Sequence, residues 1–185
     1  MKSQIEDRKA KILEWEVLPP EEKRRRKALE PLFKWLALVM DEFLRAAIDE
    51  AERGRAEGGI PIGAVLVHGT TIIGRGHNRR VQQGSATLHG EMDALERAGR
   101  QPAAIYRAST MYTTLSPCAM CTGAILLYGI PRVVVGENQT FLGEEDLLRA
   151  RGVEVTVVQD ERCIAMMKTF IAMHPELWFE DIGQE

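Results

Sequence analysis

Apolar residues recur every three or four positions over several stretches of the chain, which is the spacing of a helix with one buried face. The first such stretch begins at Asp41, and Gly58 and Gly59 end it. The same spacing predicts four more helices later in the chain. They run from His89 to about Gly99, from Ser116 to Gly129, from Glu144 to Arg151 and from Glu161 to Met173.

Short apolar runs rich in β-branched residues alternate with these helices and predict five strands. They are Ile60–Val67, Thr71–Asn78, Thr110–Leu115, Val133–Val135 and Val153–Val158. A tight turn at residues 68–70 joins the first two as a hairpin. Because helices separate the later strands, we expect a partly parallel sheet with helices on both faces. The predicted fold is therefore an α/β, three-layer α-β-α domain around a central mixed five-stranded sheet.

Residues 1–39 differ in charge from the rest of the chain. They hold ten Lys and Arg against seven Asp and Glu, whereas residues 40–185 hold fourteen against twenty. Glu21 and Glu22 precede the basic run Lys23–Lys27 and Glu30 follows it, which favours a solvated helix face over a nucleic-acid patch. The apolar stretch Leu32–Val39 is too short to span a membrane, so it is expected to lengthen the next helix or to pack on a second subunit. The sequence thus predicts a helical extension at 1–39 and one domain at 40–185.

The overall composition restricts the classes of protein further. A chain of 185 residues with 45% apolar and 28% charged residues is typical of a globular domain. The acidic balance of residues 40–185 argues against a polyanionic substrate. Three cysteines are too few for a disulfide framework, and no signal peptide is evident. These features predict a protein of the reducing cytoplasm.

Four side chains in two short segments carry the candidate chemistry: His89, Glu91, Cys118 and Cys121. Zinc binds imidazole nitrogen and thiolate sulfur in a tetrahedral shell, and a catalytic zinc has three protein ligands and a water. The imidazole and the two thiols provide those three ligands. Glu91 is left to move protons as a general acid and base. The sequence predicts one catalytic zinc per chain.

The spacing of these residues also favours two helix starts. Ser116 is a good N-cap and Pro117 a good first helical residue, which would place Cys118 in the first turn. The free amides and the dipole there stabilise a thiolate. His89 and Glu91 lie about 200° apart on a regular helix, so they converge only at a helix start. Two facing helix N-termini would gather all four groups around one ion.

Each of these features also has a less specific interpretation. A Cys-x-x-Cys pair alone is often redox-active or structural, but a structural zinc normally has four protein ligands. His77 is not needed as a ligand because three are already present, and Cys163 is most simply a packing residue. From spacing alone, Asn78 would be a loop cap. Similarly, Trp178 would only dock the end of the chain.

Longer motifs connect the two segments to a known family. His-x-Glu with Pro-Cys-x-x-Cys matches the signature of zinc nucleobase deaminases. With Gly74–Asn78, Gly84–Glu91, Tyr112–Cys118 and Trp178–Gly183, residues 40–185 resemble the fungal-type cytosine deaminases of the cytidine-deaminase-like superfamily. Residues 1–39 match no part of that family.

The resemblance implies a reaction and a set of substrate contacts. The reaction is hydrolysis of free cytosine to uracil and ammonia, with Glu91 passing the proton of the attacking water to ring N3 and to the departing amine. By the resemblance, Asn78 bonds the edge of the pyrimidine, Phe141 and Trp178 flank it, and Asp181 accepts from its exocyclic amine. The backbone amide of Gly90 lies at a helix start, and Ser116 at a strand end, where ligands bind in such sheets.

The same resemblance implies a homodimer. The expected ligand is a free pyrimidine base, and neither a nucleic acid nor a membrane is expected as a partner. Two alternatives share the fold: deamination of guanine, and deamination of adenosine in tRNA. An adenosine editor would have a basic groove for a flipped nucleotide, which the acidic domain does not favour. An alternative of another class is a zinc-stabilised binding module. Zinc content together with ammonia release distinguishes that module from an enzyme.

Overall fold

The computed structural model describes residues 19–184, without the side chains of residues 20, 25, 26 and 28–41. The chain divides into two compact units, Met1–Met40 and Asp41–Glu185. The predictions for the first 18 residues and for the side chains of Leu32–Val39 lie outside the described part of the chain. Among the described residues, no helix has the length and apolar character needed to span a membrane.

Eight helices and five strands follow one another in the described residues. The helices are α1 (Pro20–Ala56), α2 (Arg80–Gln83), α3 (Gly90–Ala98), α4 (Ala103–Arg107), α5 (Ala119–Tyr128), α6 (Glu145–Ala150), α7 (Glu161–Met173) and α8 (Pro175–Asp181). The strands are β1 (Gly63–His68), β2 (Thr71–His77), β3 (Ser109–Leu115), β4 (Arg132–Glu137) and β5 (Glu154–Val157).

The strands form one five-stranded sheet in the order β2-β1-β3-β4-β5. β1 runs antiparallel to both β2 and β3, whereas β3, β4 and β5 are parallel to one another. The prediction of a mixed five-stranded sheet is therefore confirmed. The carboxyl ends of β3 and β4 lie at one edge of the sheet, and the loops that follow them build the site described below.

Helices cover both faces of this sheet, as the alternation along β3 shows. Met111 is fully buried in a cluster with Ala94 of α3 and Ile125 of α5. The next residue, Tyr112, faces the other way and meets Phe43 of α1, with ring centroids 5.4 Å apart. Since successive side chains of a strand point to opposite faces, the three-layer arrangement follows.

Two glycines let helices approach the sheet closely. A Cβ on Gly76 of β2 would lie 2.3 Å from the backbone nitrogen of Ala94, so only glycine allows α3 to lie this close to β2. On the opposite face, a Cβ on Gly136 of β4 would lie 2.7 Å from the Sγ of Cys163. Cys163 is fully buried at that contact, as its interpretation as a packing residue expects.

His77 joins α1 to the end of β2. Its Nδ1 lies 3.3 Å from Glu50 Oε2, and its Nε2 lies 3.0 Å from Glu57 Oε2. Both His77 and Glu50 are 2% exposed. The two carboxylates contact different nitrogens of the ring, so they do not converge on one point. The cluster instead connects α1 to β2.

Two details of the predicted elements are wrong. The first strand begins at Gly63 instead of Ile60, because Ile60 and Ile62 turn inward to a second apolar cluster with Leu115 and Trp178. The second concerns the start of α5 and is described with the site. Helix α1 begins at Pro20, so the stretch Leu32–Val39 lies in the same helix as Asp41.

Candidate active site

Helices α3 and α5 both begin at the site. The cap residue of each helix is one of the candidate zinc ligands. His89 caps α3 and Cys118 caps α5, with nearly equal extended backbone angles (φ −67° and ψ 167°; φ −68° and ψ 173°). The prediction that His89 and Glu91 meet at a helix start is confirmed, since Glu91 lies in the first turn of α3.

The predicted cap of α5 is wrong by two residues. Ser116 does not cap the helix, because its hydroxyl donates to Glu145 Oε1 at 2.9 Å and accepts from the Gly143 amide at 3.0 Å. Helix α5 begins at Ala119, so Cys118 takes the cap position itself. Cys121 then lies one turn further on, on the same side of the helix.

The ligand atoms of His89, Cys118 and Cys121 lie within 4.8 Å of one another. Cys118 Sγ is 3.5 Å from His89 Nδ1. A hydrogen bond with Cys121 and another with His89 lower the pKa of the Cys118 thiol to about 4, although burial opposes this shift. The pKa of Cys121 is raised well above its ordinary value by its bond to Cys118, by burial and by Glu91. The pair therefore holds one thiolate unaided and needs a cation for the second, so the donor set fits zinc.

Glu91 lies beside this group and is 3% exposed. Thr113 Oγ1 donates to its Oε1 at 3.0 Å, and Cys121 Sγ donates to its Oε2 at 3.4 Å. Burial and the nearby Cys118 thiolate raise the pKa of Glu91 above its ordinary value. A buried carboxyl with a raised pKa, held by a threonine, is suited to accept and release a proton.

A narrow pocket of about 20 Å³ opens onto these groups. Its wall includes the metal-binding and acidic side chains, two aromatic rings and the end of α8: Ile62, His89, Glu91, Leu115, Ser116, Cys118, Phe141, Trp178, Asp181 and Ile182. The rings of Phe141 and Trp178 meet edge to face, with centroids 5.8 Å apart and planes at 86°. A flat base could stack on one of these rings and would meet the other along its edge.

Asp181 and Asn78 form the polar end of the site. Asn78 is fully buried; its Nδ2 donates to Asp181 Oδ1 at 2.9 Å, and its Oδ1 accepts from the Arg80 amide at 3.1 Å. Asp181 Oδ1 also accepts from Arg80 Nη1 at 3.0 Å and lies 3.6 Å from His89 Nε2. All these contacts fall on the same oxygen of Asp181. Asn78 keeps one amide hydrogen and one carbonyl lone pair for a further partner.

The two remaining predicted residues have distinct positions. Ser116 lies in the pocket wall, but its hydroxyl is engaged by Glu145 and Gly143. Gly90 is the first residue of α3, directly after His89, and a Cβ on it would lie 3.0 Å from the Ile62 carbonyl oxygen. Most of the predicted residues thus line one pocket, whereas Asn78, Gly90 and Cys121 do not line it.

Three residues of the site are missing from the sequence prediction. Thr113 holds the acid, Arg80 binds the end of α8, and Glu145 binds Ser116. The sequence holds a weak signal for Thr113. It lies two residues after the strongly apolar Met111, and alternate residues of β3 point to the same inward face. For Arg80 and Glu145 no local signal exists, since their partners lie 101 and 29 residues away.

Comparison with known proteins gives concordant results. Residues 39–137 match the family model of the cytidine and deoxycytidylate deaminase zinc-binding region. A cytosine deaminase of Candida albicans is 56% identical over 142 residues, which cover 76% of this chain and 95% of that protein. A tRNA-specific adenosine deaminase of Streptococcus pyogenes is 39% identical over 123 residues, or 65% of this chain and 72% of that protein.

The fold has solved counterparts. A structure from a study of tRNA:A34 deaminases, which carry out A-to-I editing at the wobble position of transfer RNA, matches with a TM-score of 0.58 at 25% identity. That match covers 68% of this chain and 99% of the other. The α-β-α architecture is therefore shared between these proteins.

Proposed function

The chain belongs to the family of zinc-binding cytidine and deoxycytidylate deaminases, and from that membership we propose that it hydrolyses free cytosine to uracil and ammonia. The observation that carries the substrate is the 56% identity to a cytosine deaminase over 95% of that protein's length. The predictions of a zinc-dependent deaminase and of zinc as cofactor are confirmed, because the matched residues 39–137 include all three ligands.

His89, Cys118 and Cys121 would hold the zinc, which in such a donor set supplies a nucleophilic water at neutral pH. Glu91 accepts the proton that this water loses and transfers it to ring N3, which makes C4 more electrophilic. The water oxygen bonds to C4, and Glu91 then carries the second proton of that oxygen to the exocyclic amine. The C4–N bond breaks, ammonia leaves and C4 becomes a carbonyl carbon of uracil. Thr113 keeps Glu91 in one orientation through Oε1 during both transfers. Gly90 and Cys118 present amides at helix starts, where developing negative charge is stabilised.

The base would be held at its edges and its faces by different groups. Asp181 has three neighbours at Oδ1, namely Asn78, Arg80 and His89, so we assign Oδ2 to the amine of the substrate. Asn78 does not line the pocket, so its remaining donor and acceptor would reach the ring only once the pocket widens. One of the rings of Phe141 and Trp178 lies against a face of the base, and the other ring meets the base edge-on. A pocket of about 20 Å³ holds little more than one water, so the pocket must widen for the base to enter.

A substrate panel tests this proposal. We expect kcat/KM for cytosine to exceed that for cytidine, guanine and adenine by about ten- to a hundredfold. A ribose on N1 removes the hydrogen that Asn78 would read, and one lost pairing of this kind corresponds to about 1–3 kcal/mol. Ammonia release is measured with each base, with cytidine, and with tRNA as the second candidate substrate. Equal turnover of cytidine or a purine would refute the base-specific pocket, and turnover of tRNA alone would favour the adenosine deaminase alternative.

We further propose that the protein is a homodimer that uses α5. This helix contains no charged residue, and it exposes Gly123, Leu127 (79% exposed) and Tyr128 (41% exposed). An apolar helix face of this kind is typical of a protein–protein contact. Cys118 caps the same helix α5, and Cys121 lies within it. A second copy that packs on α5 would therefore support the metal site.

Leu127→Glu tests the dimer. A buried, unpaired charge at the centre of an apolar contact is destabilising by several kcal/mol, so we expect particles of one 20.8 kDa chain at micromolar concentration. Met173→Glu is the matched control, because Met173 is also apolar and 67% exposed but lies at the end of α7. Light scattering that gives one chain for the wild type, or two for Leu127→Glu, would contradict this interface.

Residues 40–185 would carry all of this activity, and residues 1–39 have no assigned role in it. We propose that the protein acts in the cytoplasm, in pyrimidine salvage, without a nucleic-acid or membrane partner. The excess of acidic residues in 40–185 supports the first exclusion, since polyanions bind basic surfaces. The thiolate ligands support a reducing compartment.

A further inference from the structure

Arg80 connects the segment after β2 to the C-terminal helix α8. Its guanidinium donates to Asp181 Oδ1 at 3.0 Å, to Glu180 Oε1 at 2.6 Å and to the Glu180 carbonyl oxygen at 3.3 Å. Its Nε donates to the Ser85 carbonyl oxygen at 3.2 Å, and its backbone amide donates to Asn78 Oδ1 at 3.1 Å. One residue therefore contacts both polar groups that we assign to the edges of the base.

We propose that Arg80 is a positioning residue that holds α8 over the pocket and fixes Asp181 through Oδ1, so that Oδ2 remains for the amine of the substrate. The role of the amine rests on the proposed function. The attachment of α8 does not, because it follows from the contacts alone. Arg80 itself does not line the pocket in the described residues, so it acts through Asp181 and Asn78.

The surroundings explain why this position holds an arginine. The Asp181 side chain is 2% exposed, and a carboxylate removed from water in this way needs a charged partner. The Arg80 side chain is 13% exposed, whereas Glu180 is 62% exposed, so the guanidinium bridges a buried and a solvated carboxylate. The planar guanidinium has donors in fixed directions and can bond to both carboxylates at once. The single ammonium of a lysine would reach one of them with its charge and lose the bridge.

The rest of α8 would stay folded without this bridge. Trp178 is 4% exposed and packs in an apolar cluster with Ile60, Leu115 and Phe170. That cluster anchors the first part of the helix, whereas Arg80 binds its last residues. Loss of Arg80 should therefore loosen the carboxyl end of α8 and the orientation of Asp181, while the fold and the metal site remain.

The test uses the full-length chain with Arg80→Gln, Arg80→Lys and Glu180→Gln. For Arg80→Gln we expect KM for cytosine to rise about ten- to a hundredfold, with a smaller change in kcat and an unchanged zinc content, because the loss falls on binding. Arg80→Lys should recover part of this loss, and Glu180→Gln should shift KM less than Arg80→Gln does. Glu180→Gln keeps the bond to Asp181, so it tests the bridge even if Arg80→Gln does not fold.

Hydrogen exchange without substrate gives a readout independent of activity. The amides of Ile182, Gly183 and Gln184 bond to carbonyls within α8 at 3.2, 3.2 and 2.8 Å. We expect them to exchange at least about tenfold faster in Arg80→Gln. Arg97→Gln is the matched control, since Arg97 pairs with Asp93 on α3 at 3.1 Å and should leave both exchange and KM unchanged.

The possible outcomes are distinct. Unchanged exchange in Arg80→Gln overturns the attachment of α8. Faster exchange with an unchanged KM overturns the positioning role, because the position of α8 would then not matter for binding. If the wild type does not deaminate cytosine, the proposed function fails, and the exchange measurement still decides whether Arg80 holds α8.

Discussion

Replacement of Glu91 by glutamine is expected to lower kcat for cytosine about 10²–10⁴-fold, the usual contribution of a general acid and base. Glutamine has the same shape and still accepts from the Thr113 hydroxyl, but it cannot take up and release a proton. Glu91 is not among the three ligands, whose donor atoms lie within 4.8 Å of one another, so the zinc content should remain near one per chain. Ammonia release and metal analysis on the same sample measure both quantities.

Glu96→Gln is the control for this experiment. Glu96 lies on the same helix α3 but is exposed to solvent, so its loss of charge should leave kcat unchanged. If Glu91→Gln keeps more than about a tenth of wild-type kcat with zinc bound, proton transfer must run through another group. Loss of zinc from Glu91→Gln would instead show that the carboxylate helps to hold the metal.

The parts of the site that sequence reasoning predicts are those set by local rules. The spacing of His89 and Glu91 requires a helix start, and the structure has His89 as the cap residue there. The pair Cys118 and Cys121 lies one turn apart for the same reason. Short apolar runs between the helices likewise predict five strands and a mixed sheet, since strands covered on both faces are apolar throughout. Local geometry thus accounts for the metal site and the architecture.

The features of the site that sequence reasoning misses depend on residues that lie far apart in the chain. Serine is a residue type that often caps helices. The hydroxyl of Ser116, however, has a buried partner in Glu145, 29 residues later. That tertiary bond outweighs the local preference, and the helix starts at Ala119. The bond between Arg80 and Asp181 spans 101 residues and leaves no periodic trace in the sequence. The helix α8 is missed for a similar reason, because its seven residues are too few to show a helical repeat.

Removal of zinc is expected to abolish deamination and to expose one cysteine to alkylation before the other two. At pH 7, Cys118 with a pKa of about 4 is almost entirely thiolate, whereas Cys163, with its pKa raised by burial to about 12, is about 10⁻⁵ ionised. Cys121 is buried, and its pKa is also raised. Because the thiolate is the reactive form, iodoacetamide should modify Cys118 first in the zinc-free protein, as measured by mass spectrometry of its peptides.

The zinc-loaded protein provides the comparison for that experiment. Cys118 and Cys121 should both be protected there, since a bound thiolate is no longer free to attack, and addition of zinc before alkylation should restore turnover. Glu91→Gln separates the metal from catalysis: it should show the same protection as the wild type while remaining nearly inactive. Preferential alkylation of Cys163, which is fully buried, or equal modification of Cys118 with and without zinc, would contradict the assignment of the His–Cys–Cys group as the metal site.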